Sequence, residues 1–477
     1  MIPYFSRSIF RESSCNSFGN ISPLIGPLVL SAREVFNKMD LLPLIVMFLI
    51  LLTLMALGVP IAFSFGLSNL SALLFFVGLR YVNIIVSDCI SSVSNFLYIA
   101  FPLFILMGEL FHYSGVAEIL VRILTGWLRG LPGSLGITTI VGNAVFGALS
   151  GSSMAACAAM GSATIPLMLK NLYSRSMATG IIAIGGVLSI LIPPSAIVVI
   201  YAGLSYGPIG RLLIGGITPG IILTFLFSIY IGLMFKFKPR VSDEQKSERI
   251  SISHSKLVIE TLKYFLPLSF VIFAVTVTIY MGIATPSEAA AAGCITSVII
   301  IAAYGRFNLR VLKAATLSSM FTTSMVFFIM TGSTAFSHLL FLTGSSQKLI
   351  ALILEMNFHP LVIATIMLVI VFTLGCFIDV ISVMFITLPI YIPLVEKLGF
   401  DQIWFGLLYI YCIAFGAATP PFGVNLFVTK SVSPPEVTLQ DVYRGVIPFI
   451  IIVLALLPIL ILIPEILTYL PNMSFAR

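Results

Sequence analysis

The sequence predicts an all-α polytopic membrane protein. It is read as two inverted repeats, each with a re-entrant helical hairpin and a Pro-Pro broken helix, with about 10–12 membrane helices plus 2 hairpins. Three observations carry this. Of 477 residues, 59% are hydrophobic and only 9% charged, where globular domains hold about 25% charged residues. Apolar runs are long and continuous, so the alternation of an outer-membrane barrel is missing. Two Pro-Pro pairs, Pro193-Pro194 and Pro420-Pro421, interrupt such runs at matching places in the two halves. Lipid offers no water to the backbone groups such a break frees, so broken helices persist only inside protein or along a cavity. Paired breaks point to a transporter's binding site.

Residues 1–38 are polar and Ser-rich, with Arg7, Arg11, Arg33 and Lys38. They lack the apolar core of a secretory signal. Two readings stand: translation starts at Met39, just before the apolar run 41–57, or the leader is a short disordered or interfacial tail. The first repeat then covers 39–235, a basic linker 236–263, and the second repeat with the C-terminal tail 264–477.

Runs at 41–57, 60–79, 90–112, 176–206 and 212–235 supply the crossings of the first half. Those at 262–282, 284–304, 314–342, 403–431 and 446–464 supply the second. A span needs roughly 20 apolar residues. The runs 134–148, 154–169 and 380–395 are short for that, and 360–377 is borderline. They form two neighbouring pairs joined by small or polar turns, Ser150–Ser153 and Gly375–Asp379, which read as re-entrant hairpins.

Offsetting the chain by the 227 residues between Pro193 and Pro420 superposes Pro166 on Pro393, Pro194 on Pro421 and Pro208 on Pro435. Loop charge supplies the orientation. Lys170 and Arg175 follow the first hairpin, whereas Glu396 and Asp401 outnumber Lys397 after the second. Arg80 stands alone where the second half has Arg306, Arg310 and Lys313. Cationic loops stay cytoplasmic. The halves are therefore expected to be inverted, with the central linker inside and both termini outside.

Chemistry is expected where helices end. Ser150, Gly151, Ser152 and Ser153 form the first tip, and Pro193 with Ser195 the break after Ile192. Free carbonyls and hydroxyls there suit a small hard cation, and helix N-termini suit an anion. The competing reading is close packing through small residues. The second tip carries Gly375, Asp379 and Ser382; Thr419, Pro420 and Asn425 surround its break. A carboxylate at that depth is a functional candidate, and a half-helix cap is its structural alternative. Glu288 follows Thr285-Pro286-Ser287 and reads as part of a helix start. Glu109 fits an interface anchor or a gate. His338 reads as a packed polar residue rather than a proton relay.

The net charge of +7 is spread over loops rather than gathered into a patch for nucleic acid. The six cysteines have no C-x-x-C spacing, and the four histidines lack ligand spacing. G-x-x-x-x-G-K-[ST] is missing, and no catalytic set is evident. The chain is read as a non-enzyme that needs no cofactor.

LSGSSMAACAAMGSATIP and GVLSILIPPSAIVVIYAG lie between Leu149 and Gly220, followed by GGITPG. FPLFILMGELFHYSG (101–115), GIATPSEAAAAG (282–293), GCFIDVISVMFITLPIYIP (375–393) and ATPPFGVNLFV (418–428) complete an ordered set. Together they resemble the large membrane subunit of tripartite ATP-independent periplasmic (TRAP) transporters across 39–465. One departure is Asn171-Leu172-Tyr173, where the resemblance leads one to expect Gly before Tyr. The resemblance implies an elevator-like carrier in the bacterial inner membrane that couples uptake of an organic acid anion, such as a C4-dicarboxylate or a sugar acid, to sodium entry. It implies a small four-helix membrane subunit as a separate chain, a periplasmic substrate-binding protein, and contact with membrane lipid. It puts sodium ligands in the hairpin tips and broken helices, Ser150–Ser153 with Pro193–Ser195 and Gly375–Ser382 with Ala418–Pro421; within them the expected ligands are Ser150, Gly151, Ser152, Ser153, Pro193, Gly375, Asp379, Ser382, Thr419 and Pro420. Ser153, Ser195 and Asn425 are the expected substrate contacts. The runner-up is a stand-alone ion-coupled anion transporter or antiporter of similar architecture. From another class, an intramembrane enzyme or a scaffold is the alternative.

Overall fold

A computed structural model describes residues 41–94, 96–237 and 254–474. The leader with Met39, and most of the linker, lie outside the described residues. Helices are the only regular secondary structure among the described residues, with no strand.

The first half contains α1 (Leu42–Ala56), α2 (Ile61–Ala72), α3 (Val82–Val93), α4 (Ala100–Tyr113) and α5 (Val116–Leu128). Next come α6 (Ser134–Ser150), α7 (Ser153–Lys170), α8 (Arg175–Leu191), α9 (Ala196–Ser205), α10 (Ile209–Gly215) and α11 (Ile217–Phe237). The second half contains α12 (His254–Glu260), α13 (Leu266–Tyr280), α14 (Pro286–Ala303), α15 (Leu309–Leu342) and α16 (Ser345–Glu355). It closes with α17 (Pro360–Gly375), α18 (Val380–Leu398), α19 (Gln402–Gly416), α20 (Val424–Ser431), α21 (Leu439–Leu462) and α22 (Glu465–Ser474).

Six stretches are long and apolar enough to cross a membrane: 209–237, 255–280, 286–303, 309–342, 380–398 and 439–462. The pairs α4–α5 and α8–α9 pass together but bend by 71° and 46°. Shorter apolar helices include α1, α6, α17 and α19. The limb α18 is longer than its sequence run suggested, because the helix continues through Glu396 and Lys397.

Helix starts repeat at one offset. Val82 and Leu309, Ser153 and Val380, and Arg175 and Gln402 each open equivalent helices 227 residues apart. The caps repeat too. Ser152 accepts from Ala155 N, and its equivalent Asp379 from Ser382 N. Ser174 accepts from Met177 N, and its equivalent Asp401 from Ile403 N and Trp404 N. Each satisfies amides that an opening helical turn leaves free. The second half uses a carboxylate where the first uses a hydroxyl. Thr285 and Glu288 form a reciprocal capping box at α14, as the sequence suggested.

Hydrocarbon does not drive helices together, so close approach of backbones holds such folds. α8 and α21 cross where a Cβ on Gly180 would stand 2.1 Å from the Gly445 carbonyl oxygen, and one on Gly445 1.9 Å from that of Ser176. Helices α1–α4 pack with α14 and α15 into one group. The hairpins α6–α7 and α17–α18 pack with the broken helices α8–α9 and α19–α20 into another. Arg306 ties the bend between α4 and α5 to the second half, donating to the carbonyls of Ser114 (3.0 Å) and Gly115 (2.9 Å).

Candidate functional site at the hairpin tips

The first tip turns on Gly151, whose φ of +59° is left-handed and whose amide donates to Gly147 O at 2.7 Å. The Ser150 hydroxyl is buried and lies 3.3 Å from the carbonyls of Gly147 and Ser152. A Cβ on Gly151 would stand 3.5 Å from Pro194 O and Ala196 N, so the tip abuts the break. On the opposite side a Cβ on Gly108 of α4 would lie 2.2 Å from Ser150 O. Ser195, fully buried, opens α9 by accepting from Val198 N at 3.5 Å. Pro193 precedes it in the interrupted segment, where both Pro-Pro bonds, Pro193-Pro194 and Pro420-Pro421, are cis.

The second tip is built differently. Gly375 meets Gly416 of α19, where a Cβ on Gly416 would be 2.9 Å from Gly375 Cα. Phe422 N donates to Cys376 O at 3.1 Å, tying tip to break directly. Phe422 stands where Ser195 stands in the first half, and the amide equivalent to the capped Val198 N, that of Asn425, donates instead to Ala417 O at 3.1 Å. Asp379 accepts from Ser382 N at 3.1 Å and from the Ser382 hydroxyl. Thr419 Oγ1 donates to Phe415 O at 2.8 Å. The Tyr443 hydroxyl donates to Pro421 O, which leaves that carbonyl less free than Pro194 O in the first half.

Asn425 is 1% exposed, and neither its Oδ1 nor its Nδ2 has a hydrogen-bond partner. Its level in the fold follows from two contacts between α7 and α20. The Thr429 hydroxyl lies beside the Cys157 thiol. Val432 Cγ2 lies 2.7 Å from where a Cβ on Gly161 would sit. The helices advance together, so Ser153 and Asn425 fall one turn earlier on the same seam. An unsatisfied amide at that depth is costly to the fold.

Residues of both tips and both breaks thus assemble from the hairpins and interrupted helices. Thr429 and Gly186 belong to the same neighbourhood, with a Cβ on Gly186 only 2.9 Å from Ser153 O; their place was hidden because it depends on how α20 and α8 pack. Glu109 and His338 lie elsewhere. Glu109 pairs with Ser318 of α15, and His338 Nδ1 stands 3.0 Å from Asp88. Among the described residues no group of three or more His, Cys, Asp or Glu side chains is placed to hold a metal.

Known proteins share this architecture. Residues 48–466 match the family described as "Tripartite ATP-independent periplasmic transporter, DctM component". The C4-dicarboxylate TRAP transporter large permease protein DctM of Pseudomonas aeruginosa is 30% identical, over 79% of this chain and 87% of its own. The ectoine TRAP transporter large permease protein TeaC of Halomonas elongata is 28% identical, over 88% and 97%. Among solved structures, the Alcanivorax borkumensis YdaH transporter aligns with a TM-score of 0.58 at 14% identity, over 82% of this chain and 90% of that one. That likeness concerns the fold. With its hairpin tips, its broken helices and a match along most of its length, this chain belongs to the DctM component family of tripartite ATP-independent periplasmic transporters.

Proposed function

We propose that this chain is the carrier of a sodium-coupled tripartite system that takes up an organic acid anion across the bacterial inner membrane. Its two halves act as inverted repeats, and the hairpins with their broken helices move elevator-like against α1–α4, α14 and α15. The observation that carries the reading is the Asn425 amide, buried and unpartnered on a helix that packs against the first hairpin, whose tip is rich in hydroxyls and carbonyls. Such a tip offers hard oxygen ligands to sodium and helix N-termini to an anion. Ser150 to Ser153 with Pro193 serve one ion position. Gly375, Asp379, Ser382, Thr419 and Pro420 serve the other. Ser153, Ser195 and Asn425 face the substrate.

The relatives span a C4-dicarboxylate carrier and an ectoine carrier. Substrate choice therefore rests in large part on a periplasmic binding protein, with a small four-helix membrane subunit as third component. Reconstitution tests this. Proteoliposomes holding this chain, the small subunit and the loaded binding protein accumulate the bound anion without ATP. Uptake at an equal rate when the binding protein is left out would refute the tripartite reading.

A further inference from the structure

One hydrogen bond crosses from α15 to the second hairpin at a place where the hairpin's own helix fails. Pro389 lies inside α18. It has no N–H to give the carbonyl four residues earlier, which belongs to Phe385. That carbonyl accepts instead from the Ser333 hydroxyl of α15, at 2.6 Å and in a buried setting. Ser333 is 2% exposed and the Phe385 side chain fully buried, so water does not compete for either group. In a membrane protein a proline-freed carbonyl is satisfied by a neighbouring Ser or Thr. Here the neighbour stands on the helix that the second hairpin meets from the other group: α15 packs on α2, α3 and α4 and also on α18, which packs in turn on α17 and α19. The first half has no counterpart, because the position equivalent to Pro389 is Ser162.

We infer that Ser333 is a latch residue, holding α18 against α15 in the conformation seen here through a carbonyl that Pro389 keeps available. This rests on the proposed motion of the hairpins against the α15 group. When α18 slides, the Ser333 bond breaks and the Phe385 carbonyl must leave unpaired or find another donor. Ser333 and Pro389 act as one device. The proline creates the demand, and the serine meets it in one position only. The latch is a positioning element, remote from the tip residues, and it sets the balance between conformations.

A cycle of variants tests this in the full chain, held in lipid nanodiscs with its small subunit. Dyes are attached at Arg310→Cys on α15 and Lys397→Cys in the last turn of α18, with Cys15 and Cys89 replaced by Ser. Single-molecule energy transfer then reads the populations. The expected result is two levels in the parent. Ser333→Ala lowers the level matching this structure relative to the other by roughly threefold to tenfold, the weight of one buried hydrogen bond. Ser333→Thr keeps the hydroxyl and the parent populations. In Pro389→Ala an in-helix N–H serves the Phe385 carbonyl, so adding Ser333→Ala shifts nothing further. Equal shifts from Ser333→Ala with and without the Pro389→Ala change would reduce Ser333 to packing and overturn the latch. So would two persistent levels that Ser333→Ala does not move. A single level in the parent and all variants would instead overturn the motion itself, and the latch with it.

Discussion

Asp379 engages Ser382 twice, accepting from its amide at 3.1 Å and from its hydroxyl. The carboxylate is thus the cap of α18 while standing at the second tip. Its equivalent Ser152 caps α7 with a neutral oxygen. A cap contributes about 1 kcal/mol, and Asn caps about as well as Asp.

This dual position separates fold from ion binding. Asp379→Asn keeps the cap and removes the charge. Its thermal stability in detergent should match the parent, while the sodium concentration for half-maximal uptake should rise about tenfold, the loss of one charged ligand interaction. Unchanged sodium dependence would leave Asp379 as a cap alone. Ser152→Ala should act on the first ion position in the same sense, with a stability loss of about 1 kcal/mol.

Asn425 reverses the usual relation between a polar residue and stability. A buried amide with no partner costs the fold about 1–3 kcal/mol. Asn425→Leu, which keeps the branching of the side chain and removes its polar atoms, should therefore leave the melting temperature equal or higher, yet cut uptake by about tenfold or more if the amide contacts substrate. A lower melting temperature with normal uptake would mean that the amide serves packing.

The α8–α21 crossing should be among the least tolerant places for a methyl group. Gly445→Ala would drive Cβ into the Ser176 carbonyl oxygen at 1.9 Å, and backbone cannot move aside as a flexible side chain does. Overpacking of this kind costs about 1–3 kcal/mol or more. Gly232→Ala is the control, since its Cβ would meet Pro132 O at 3.8 Å. Thermal unfolding should separate the two clearly.

Arg306 makes two charge-assisted bonds to backbone carbonyls at the α4–α5 bend but stands 3.9 Å from the largely exposed Glu118. Exposed ion pairs contribute little, whereas bonds to backbone from a charged donor contribute about 1.5–3 kcal/mol, less here because Arg306 is partly exposed. Arg306→Ala should accordingly lower thermal stability well beyond Glu118→Ala. Equal losses would assign the role to the ion pair.

Much of this was legible in the residues. Pro-Pro pairs cannot sit in an unbroken helix, so the two breaks were visible in the chain, and the tips followed from short apolar runs joined by small residues. Thr285 to Glu288 announced their capping box by spacing alone. Other features needed the fold. The Ser333 bond to Phe385 depends on α15 meeting α18, and no local pattern in either helix records it. The isolation of Asn425 appears only once α20 is packed on α7 and α8. Asp379 looked like an ion ligand with capping as its alternative, and the structure displays the cap.

Sodium coupling of anion uptake can be measured directly. Radioactive sodium and the labelled anion should be followed together in proteoliposomes holding the full tripartite complex. Sodium is expected to enter only with substrate, and dissipating the sodium gradient to stop accumulation. Accumulation that persists without a sodium gradient, or anion entry unaccompanied by sodium, would contradict the coupling.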